Sequence, residues 1–396
     1  MNKSLIILLS VLLLLLGLVF VHQPTQAQNS NQNTHRRIVV FTDHEVNKDA
    51  QEEIIKGAGG VIIKRLGLIN AQAVYLPEQA EPAIRVHPSV KRIDADVLVR
   101  ATGRKSTPPP QPSQTLPWGI DRVEADLAWS TTSGTAVKVA IVDTGIDLDH
   151  PDLALNIKGG VNTINSTKSA NDDNGHGTHV AGTVAALNNS IGVVGVGNAA
   201  HLYAVKVLDR NGSGFLSDVI EGLEWTVNNS MQVVNMSLGT DSDIQSFHDA
   251  VIKVNQAGIV QVAAAGNDGA AVDFPAAYPE VIAVAAVQKN PDGTLSAASF
   301  TSRGLEVDLS APGVDIPSTY KGDGYKTLSG TSMASPHIAG TSALVLTIPV
   351  GVNDANGNGR WDPAEVQNKL MATSENIGLD PTMFGAGLVR ADLAIQ

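Results

Sequence analysis

Short runs of apolar, β-branched residues recur through the second part of the chain and alternate with stretches of helical spacing. The runs that are typical of strands buried in a parallel sheet are residues 137–142, 202–207, 233–236, 259–263 and 281–287. The predicted helices between them are residues 179–187, 217–228 and 244–257. This alternation predicts an α/β domain, a mainly parallel sheet with helices on both faces. In such a sheet the functional site is expected outside the carboxyl ends of the strands.

The first third of the chain has a different order of elements: strand, helix, strand, strand, helix, strand. The predicted strands are residues 38–41, 61–64, 73–76 and 93–99, and the predicted helices are residues 49–55 and 79–86. This order predicts a small α+β unit with a split βαβ, or ferredoxin-like, arrangement. Because the unit holds no cluster suited to catalysis, we expect a structural or inhibitory role. We interpret Gly57, Gly59 and Gly60 as turn glycines rather than as a phosphate loop.

The N-terminus predicts export. Lys3 precedes an uncharged apolar run over residues 5–21, and a polar stretch then ends at Ala27. This pattern is typical of a secretory signal peptide, residues 1–27, so we expect a secreted, extracellular protein. The run is long, and an uncleaved membrane anchor is therefore the alternative. No second run of comparable length follows, so no membrane association is expected after signal cleavage.

The composition excludes several kinds of chemistry. The chain has no cysteine, so it can form no disulfide, zinc-thiolate site or thiol nucleophile. With 39 acidic and 27 basic side chains its formal net charge is −12, which is unfavourable for nucleic-acid binding. A secreted chain without disulfides must be stabilised by other means.

Charge is distributed unevenly along the chain. Residues 1–112 carry 13 basic and 9 acidic side chains, whereas the remainder carries 14 basic and 30 acidic ones. A Pro-rich stretch lies at the boundary and favours extended, exposed backbone. The expected organisation is a signal peptide (1–27), a small unit (28–105), a linker (106–112) and a large domain (113–396). The asymmetry is either chance or the sign of a module that docks on its neighbour.

Three glycine-flanked motifs carry candidate chemistry. Asp143 ends a predicted buried strand, where a carboxylate must be hydrogen-bonded or functional. His176 lies between two glycines just before a helix, and Ser332 opens an apolar helix whose dipole favours developing negative charge. Each residue alone has a common structural role, such as a loop cap or an N-cap. Together they supply a carboxylate, a base and a nucleophile in the chain order known from subtilisin.

Residues 142–147, 176–182 and 330–336 read Val-Asp-Thr-Gly-Ile-Asp, His-Gly-Thr-His-Val-Ala-Gly and Gly-Thr-Ser-Met-Ala-Ser-Pro. With these motifs the chain resembles a secreted subtilisin-family serine protease (subtilase) with an inhibitor-like propeptide. The resemblance covers nearly everything after residue 27. It implies a subtilisin-like fold and a serine endopeptidase that works through an acyl-enzyme. It also implies Ser332 as nucleophile, His176 as general base and then acid, and Asp143 as the group that fixes the histidine tautomer.

Acyl transfer also needs a donor for the oxyanion of the tetrahedral intermediate. Asn267 follows the predicted strand 259–263 and matches the family's oxyanion asparagine. The backbone N–H of Ser332 would be the second donor. The alternative is that Asn267 is an ordinary turn residue.

A protease of broad preference must bind substrate backbone, which predicts that the peptide is bound as an added strand. Two segments resemble the edges between which subtilases hold a peptide: Gly212, Ser213, Gly214 and Ser237, Leu238, Gly239. By the same resemblance Gly239, Ala264 and Gly266 would line the pocket for P1, the residue before the scissile bond. Asp273 would lie near the floor of that pocket and favour Lys or Arg at P1. A solvated loop aspartate is the alternative.

Calcium is the expected cofactor. Residues 354–365 fit a 12-residue calcium-loop template, with Gly at the sixth position and Glu at the twelfth. The ligands would be Asp354, Asn356, Asn358, the Arg360 carbonyl, Asp362 and Glu365. Pro349 interrupts any entering helix, so the prediction is an EF-hand-like loop. A polar surface loop is the alternative.

A second calcium site is implied by the family resemblance alone. Its matching residues are Gln114, Asp152, Leu187, Asn189, Ile191 and Val193, the aliphatic ones acting through their carbonyls. Ca²⁺ that binds only the native state adds stability. Calcium would thus take the place of the missing disulfides.

Other activities are weaker interpretations of the same residues. Residues 195–200 fit a loose dinucleotide fingerprint, but a predicted strand follows where a helix is required. His176 and His179 have no third ligand nearby for zinc, so we expect His179 to pack or hydrogen-bond. The alternatives from other classes are a secreted pseudoenzyme that binds peptides without turnover and a membrane-anchored precursor.

The resemblance also implies how the protein matures. We expect residues 28–105 to act as an intramolecular chaperone and inhibitor, and the enzyme to cut its own linker between Ala101 and Gln114. The expected partners are this propeptide and protein or peptide substrates, and the mature enzyme is expected to be a monomer.

Overall fold

The computed structural model describes residues 34–42, 47–101, 112–378 and 380–396. The predicted signal peptide and all but the last residue of the predicted linker lie outside this part of the chain. No helix within the described residues is long and apolar enough to cross a membrane.

The small N-terminal unit has the predicted order of elements. They are β1 (Thr34–Phe41), α1 (Lys48–Gly57), β2 (Val61–Leu66), β3 (Ala71–Pro77), α2 (Glu81–Arg85) and β4 (Val90–Ala95). The strands form an antiparallel sheet in the order β2-β3-β1-β4, the split βαβ arrangement. Alternate residues of β1 face opposite sides: Val39 packs with Ile55 under α1, whereas Ile38 packs toward the large domain.

The predicted strand 93–99 is wrong as a single element, because it forms two strands. The chain leaves the small sheet after β4 and continues as β5 (Leu98–Ala101), which pairs with the large domain. Asp96 lies at this break and accepts hydrogen bonds from Arg36 Nε at 2.8 Å and from the backbone N–H and hydroxyl of Ser217, both at 2.9 Å. These long-range contacts redirect the chain, and local apolar spacing contains no trace of them. The predicted helix 79–86 is likewise shorter and is preceded by a 3₁₀ turn, Glu78–Ala80.

The large domain contains the remaining elements. The helices are α3 (Trp118–Arg122), α4 (Ala125–Ala128), α5 (His176–Ala185), α6 (Leu216–Asn228), α7 (Gln245–Gln256), α8 (Thr331–Val345), α9 (Pro363–Ala372), α10 (Pro381–Phe384) and α11 (Ala391–Ala394). The strands are β6 (Lys138–Asp143), β7 (Ile157–Asn162), β8 (His201–Lys206), β9 (Ser213–Phe215), β10 (Val233–Met236), β11 (Leu238–Gly239), β12 (Val260–Ala264), β13 (Ile282–Lys289), β14 (Leu295–Ala297), β15 (Leu309–Pro312), β16 (Ile316–Tyr320) and β17 (Gly324–Leu328).

The main sheet is parallel apart from one edge strand. Its order is β14-β13-β12-β10-β6-β8-β7, with β15 parallel to β13 and β14 antiparallel. Each of the five strands predicted from apolar runs begins within one residue of its predicted start. Successive residues of β6 pack on opposite faces: Val139 and Ile141 with α5 and α8, Ala140 and Val142 with α6 and α7. Helices therefore cover both faces, which is why these strands are apolar throughout.

The N-terminal unit docks on α6 and α7 through opposite charges and a shared apolar core. Lys64 Nζ lies 2.5 Å from Asp218 Oδ1 and 2.6 Å from Glu221 Oε2, and Arg92 Nη2 lies 2.6 Å from Asp249 Oδ2. The charge asymmetry in the sequence thus corresponds to a basic unit seated on acidic helices.

Candidate active site

Asp143 and His176 form a hydrogen-bonded pair at the carboxyl end of the main sheet. Asp143 is the last residue of β6 and His176 the first residue of α5, and both side chains are buried. His176 Nδ1 lies 2.8 Å from Asp143 Oδ1 and 2.9 Å from Oδ2. The carboxylate thereby fixes the tautomer with the proton on Nδ1 and leaves Nε2 as the acceptor. His176 Nε2 has no hydrogen-bond partner among the described residues.

Ser332 is held at the start of α8 by a reciprocal contact with Ser237, the residue between β10 and β11. The Ser332 hydroxyl donates to the Ser237 carbonyl at 3.1 Å, and the Ser237 hydroxyl donates to the Ser332 carbonyl at 2.9 Å. In a regular helix the Ser332 carbonyl would accept the N–H of residue 336, but Pro336 has none. The Ser237 hydroxyl supplies the missing donor. α5 and α8 pack against each other, which brings the histidine and serine motifs to one side of the sheet.

Asn267 follows β12 and is fixed against the same helix start. Its Oδ1 accepts hydrogen bonds from Thr331 N at 2.9 Å and Thr331 Oγ1 at 3.1 Å. Because the acceptor end of the side chain is held by Thr331, Nδ2 is the end with donors to offer an oxyanion. Ser332 lies in the first turn of α8, where backbone N–H groups have no helical acceptor. The two expected oxyanion donors therefore lie on adjoining elements.

A second carboxylate, Asp172, organises the start of α5. It accepts hydrogen bonds from Gly175 N at 2.8 Å, from Thr178 N at 3.0 Å and from the hydroxyl of Thr144 at 2.9 Å. Thr144 Oγ1 in turn accepts the Gly177 N–H at 2.9 Å. A Cβ on Gly177 would lie 2.2 Å from the Gly145 carbonyl oxygen, so only glycine allows this approach.

Burial and charge oppose each other at His176. Burial disfavours the imidazolium, but the charge and hydrogen bond of Asp143 and the charge of Asp172 outweigh it, so the pKa of His176 is raised. His179 is different: burial lowers its pKa to about 3, and its Nε2 bonds the carbonyls of Ile316 and Lys326. It hydrogen-bonds within the core, as expected.

The predicted peptide groove holds a strand of the protein's own N-terminal unit. β5 is the middle strand of a three-stranded antiparallel sheet, between β9 and β11. Val99 lies opposite Gly214, and Arg100 lies opposite both Ser213 and Gly239. Ala101 pairs with Leu238, one residue from Ser237. The two predicted edge segments thus flank an extended chain, with Gly212 immediately before β9.

The residues predicted to line the P1 pocket also lie next to one another. Ala264 ends β12, and Gly266 follows with φ at +113°. A Cβ on Gly266 would lie 2.6 Å from Asp273 Oδ2, and one on Gly239 would lie 3.0 Å from Asp273 Cβ. Asp273 therefore lies between the two glycine walls.

Residues 134–387 match the model of the subtilase family. The chain belongs to the subtilase family. Subtilisin E of Bacillus subtilis (strain 168) is 39% identical to it over 404 residues, covering 100% of this chain and 99% of that protein. A thermostable alkaline protease of Halalkalibacterium halodurans is 41% identical over 383 residues, covering 96% of each. An alkaline protease of Shouchella clausii is 43% identical to the chain over 330 residues, covering 83% of this chain and 80% of that protein.

These matches confirm the predicted family, fold class and enzyme class. The protein is a subtilisin-like serine endopeptidase. The match to subtilisins runs the full length of the chain and includes the N-terminal unit, so this subtilase is made as a propeptide-containing precursor.

The residues of the second predicted calcium site come together in the subtilase fold. Gln114 Oε1 accepts the Asn189 N–H at 2.5 Å, and Asn189 Nδ2 donates to Asp152 Oδ1 at 2.7 Å. Asp152 also accepts the N–H of Val193 at 3.0 Å through Oδ2 and that of Leu187 at 2.9 Å through its carbonyl. Ile191, the last of the set, donates its N–H to Asn189 Oδ1 at 2.7 Å.

The predicted EF-hand-like loop is closed on itself and begins after a 3₁₀ turn, Gly351–Asn353, rather than a long helix. Asp354 accepts the N–H groups of Asn358 at 3.0 Å and Gly359 at 2.9 Å. Asp362 and Glu365 form a capping box at the start of α9. The side chains of Asn356 and Asn358 both donate to Asp362, and the Arg360 N–H donates to Asn358 Oδ1.

Sequence reasoning missed Asp172 and Thr144 as supports of the Asp143–His176 pair. The available signal was an acidic residue four positions before His176, close to a helix start, where carboxylates commonly accept N–H groups. The Thr144 contact spans 33 residues to Gly177 and leaves no local pattern.

We expect the acid limb of the pH–rate profile to lie above pH 6.5. The general base must be neutral, so activity is lost as pH falls through the pKa of His176, which is raised above its ordinary value of about 6.5. Asp172→Asn removes one of the charges that raise this pKa and should move the limb to lower pH. The measurement is kcat/KM on an uncharged peptide from pH 5 to 9; a wild-type midpoint at or below 6.5 would contradict the expectation.

Asn267→Ala should lower kcat about 10²–10³-fold with little change in KM, the loss found on removing such a donor from subtilisin. Asn267→Asp is the matched variant, because it keeps an acceptor for Thr331 and removes the amide donor. Both variants should be impaired in steady-state kinetics on one peptide. If Asn267→Asp keeps near wild-type kcat, the role of Asn267 is to hold α8 and not to bind an oxyanion.

Proposed function

We propose that this subtilase is exported as a precursor, cleaves its own linker, and hydrolyses protein and peptide substrates through an acyl-enzyme on Ser332. The single observation that carries the proposal is the placement of β5. An extended segment of the same chain lies between β9 and β11 and ends at Ala101, one residue short of the register position of Ser237. Ser237 is the residue whose carbonyl accepts the Ser332 hydroxyl.

The proposed reaction is acyl transfer to Ser332, followed by hydrolysis of the acyl-enzyme. His176 Nε2 accepts the proton of Ser332 as the hydroxyl attacks the carbonyl carbon, and Asp143 stabilises the imidazolium that forms. Asn267 Nδ2 and the Ser332 N–H donate to the oxyanion. His176 then protonates the leaving amine. In the second half of the reaction His176 takes a proton from the water that attacks the acyl-enzyme and returns it to Ser332 Oγ.

The roles proposed for residues 28–105 are those of inhibitor and folding aid. As inhibitor, the unit fills the groove with β5, and Val99 is fully buried there. As folding aid, it covers apolar side chains of α6 and α7, caps α6 and contacts the first turn of α7. Asp96 binds Ser217 at the start of α6, and Asp94 accepts the Ser246 hydroxyl at 2.5 Å in the first turn of α7.

Export rests on the signal-like N-terminus and on the secreted relatives, and the mature enzyme is proposed to be a monomer outside the cell. A secreted pseudoenzyme is the competing function. Labelling by a fluorophosphonate discriminates, because it needs an activated Ser332 and not merely a peptide groove. N-terminal sequencing of secreted material distinguishes a cleaved signal from an anchor.

Calcium is proposed as a structural cofactor at two places. At the first, Asp152 is fully buried and forms no ion pair within the described residues. Burial raises the pKa of this carboxylate because it disfavours the charged form, and a bound cation would offset that cost. Its oxygen-bearing neighbours Gln114 and Asn189 and the carbonyls of Leu187, Ile191 and Val193 suit Ca²⁺. Bound there, the ion would join the segment at residue 114 to the loop after α5.

The second place is the loop 354–365. No group of three or more acidic or histidine side chains converges anywhere in the described chain, and here Glu365 is engaged with backbone instead. Its Oε1 accepts the Ala355 N–H at 2.7 Å and its Oε2 the Asp362 N–H at 2.9 Å. These bonds bring the two ends of the loop together, and Asp354, Asp362 and Glu365 supply hard oxygen ligands of the kind that Ca²⁺ takes.

Ser332→Ala should leave the precursor uncut. Wild-type protein should yield a mature chain whose N-terminus lies between residues 102 and 114, whereas the variant should run at precursor size on a gel. Wild-type enzyme added to the variant is the control that the linker is still accessible. A variant that processes itself normally would mean that another protease makes the cut.

Excess chelator should lower the melting temperature and speed self-digestion, because Ca²⁺ stabilises only the folded state. Differential scanning calorimetry of mature enzyme inhibited at Ser332 separates the melting temperature from self-digestion. An unchanged melting curve in chelator would contradict both sites.

The two sites are separable with terbium, which replaces Ca²⁺ and is sensitised by a nearby tryptophan. Trp361 lies within the 354–365 loop, whereas Tyr325 lies beside Asp152 at the first site, so Glu365→Gln should abolish the emission excited through tryptophan. Asp152→Asn should leave it and still remove part of the calcium-dependent rise in melting temperature. Tryptophan-excited emission that survives Glu365→Gln would overturn the loop site alone.

A further inference from the structure

Asp273 is fixed by its backbone between the two segments that wall the predicted P1 pocket. Its N–H donates to the Ala265 carbonyl at 2.9 Å, beside Gly266. The next residue, Phe274, exchanges two hydrogen bonds of 2.9 Å with Thr240, beside Gly239. The main chain at Asp273 thus joins the edge strand β11 to the segment after β12, and the backbone that carries its side chain is held on both sides.

The carboxylate occupies space that the two glycines leave open. Oδ2 would lie 2.6 Å from a Cβ on Gly266 and 3.3 Å from a Cβ on Gly239. Any larger residue at Gly266 would displace the carboxylate. The floor between the two walls is therefore the Asp273 side chain itself.

This carboxylate has no partner within the described residues. It accepts no hydrogen bond there and forms no ion pair, although it is only partly exposed. The charged groups around it are Asp241 and Asp268, both acidic. Arg303 lies beside Gly269, interacts with Asp380 and does not pair with Asp273.

An independent polar atom lies at the same place. The Ser302 hydroxyl is 1% exposed at the residue level, has no hydrogen-bond partner in the described chain, and would lie 2.7 Å from a Cβ on Gly266. A buried hydroxyl without a partner is costly in an apolar site. The floor of the pocket therefore presents one carboxylate and one hydroxyl that can both accept hydrogen bonds.

We propose that this pocket recognises Lys or Arg at P1, with the Asp273 carboxylate as the ion-pair partner and Ser302 as an additional acceptor; the inference rests on the proposed peptidase function. An apolar P1 side chain would cover Asp273 and Ser302 without bonding either, which carries the desolvation cost of both. A Lys or Arg side chain instead packs its methylenes along Ala264 and the glycine walls and brings its donors to the floor.

The pocket also gives the preference a pH dependence. Burial, and to a smaller extent the negative charges of Asp268 and Asp241, together raise the pKa of Asp273 to about 6. The carboxylate is charged above that pKa and neutral below it, so the preference for a basic P1 residue grows as pH rises through about 6. Titration of His176 affects every substrate alike and cancels from a ratio of two substrates.

The test is cleavage by the mature enzyme of internally quenched peptides that differ only at P1, with Arg, Lys or Phe. We expect kcat/KM at pH 8 to be about ten-fold or more higher for Arg and Lys than for Phe. Asp273→Asn should lose this preference, so that the ratio of kcat/KM for Arg to that for Phe falls about ten-fold or more. Asp241→Asn is the matched control: it removes an exposed acidic charge that does not line the pocket, and the preference should remain.

The ratio of kcat/KM for Arg to that for Phe is then measured from pH 5 to 8. It should rise with pH in the wild type and be flat in Asp273→Asn. Equal or poorer cleavage after Arg than after Phe, a preference that survives Asp273→Asn, or a flat wild-type ratio would each overturn the assignment. If no peptide is cleaved and a fluorophosphonate does not label Ser332, the proposed function itself has failed, which is a distinguishable result.

Discussion

The hydrogen bond between Asp143 and His176 is the constraint on which the rest of the site depends. Asp143 is fully buried at the end of a parallel strand, and a charge there is tolerated only if donors surround it. The imidazole is one donor, and the Thr144 N–H at 2.6 Å is another. Thr144, Asp172 and the absence of a side chain at Gly177 then determine how closely α5 approaches β6. The local backbone is thus arranged around one buried carboxylate.

The docked N-terminal unit likewise supplies partners for polar and charged groups of the large domain. The backbone N–H groups in the first turn of α6 need acceptors, and the unit provides Asp96; its Asp94 accepts the Ser246 hydroxyl in the first turn of α7. The acidic surface of these helices needs cations, and the unit provides Lys64 and Arg92. Without the unit these groups must be satisfied by water, so the large domain alone lacks interactions that the full chain has.

The order of apolar and polar residues is sufficient to predict the elements whose environment is uniform along their length. The five apolar runs gave strands with starts correct to one residue, because a strand buried on both faces has a composition of its own. The Asp143, His176 and Ser332 motifs were visible for a similar reason, since glycines beside them mark close backbone approaches. What could not be predicted depends on contacts between distant segments. β4 and β5 are separated by the capping of a helix more than a hundred residues away, and Asp172 and Ser302 matter only through their neighbours in space.

The position of β5 as the middle strand of three has a consequence for the proteins that this enzyme degrades. A substrate segment in that position must offer N–H and C=O groups on both of its edges, and in folded proteins those groups are already paired. Native helices and inner strands are therefore poor substrates until they open locally. The rate at which a folded protein is cut then follows the population of its locally unfolded states, and so its own stability rather than its sequence alone. The same rule protects the enzyme from itself for as long as its own segments stay closed.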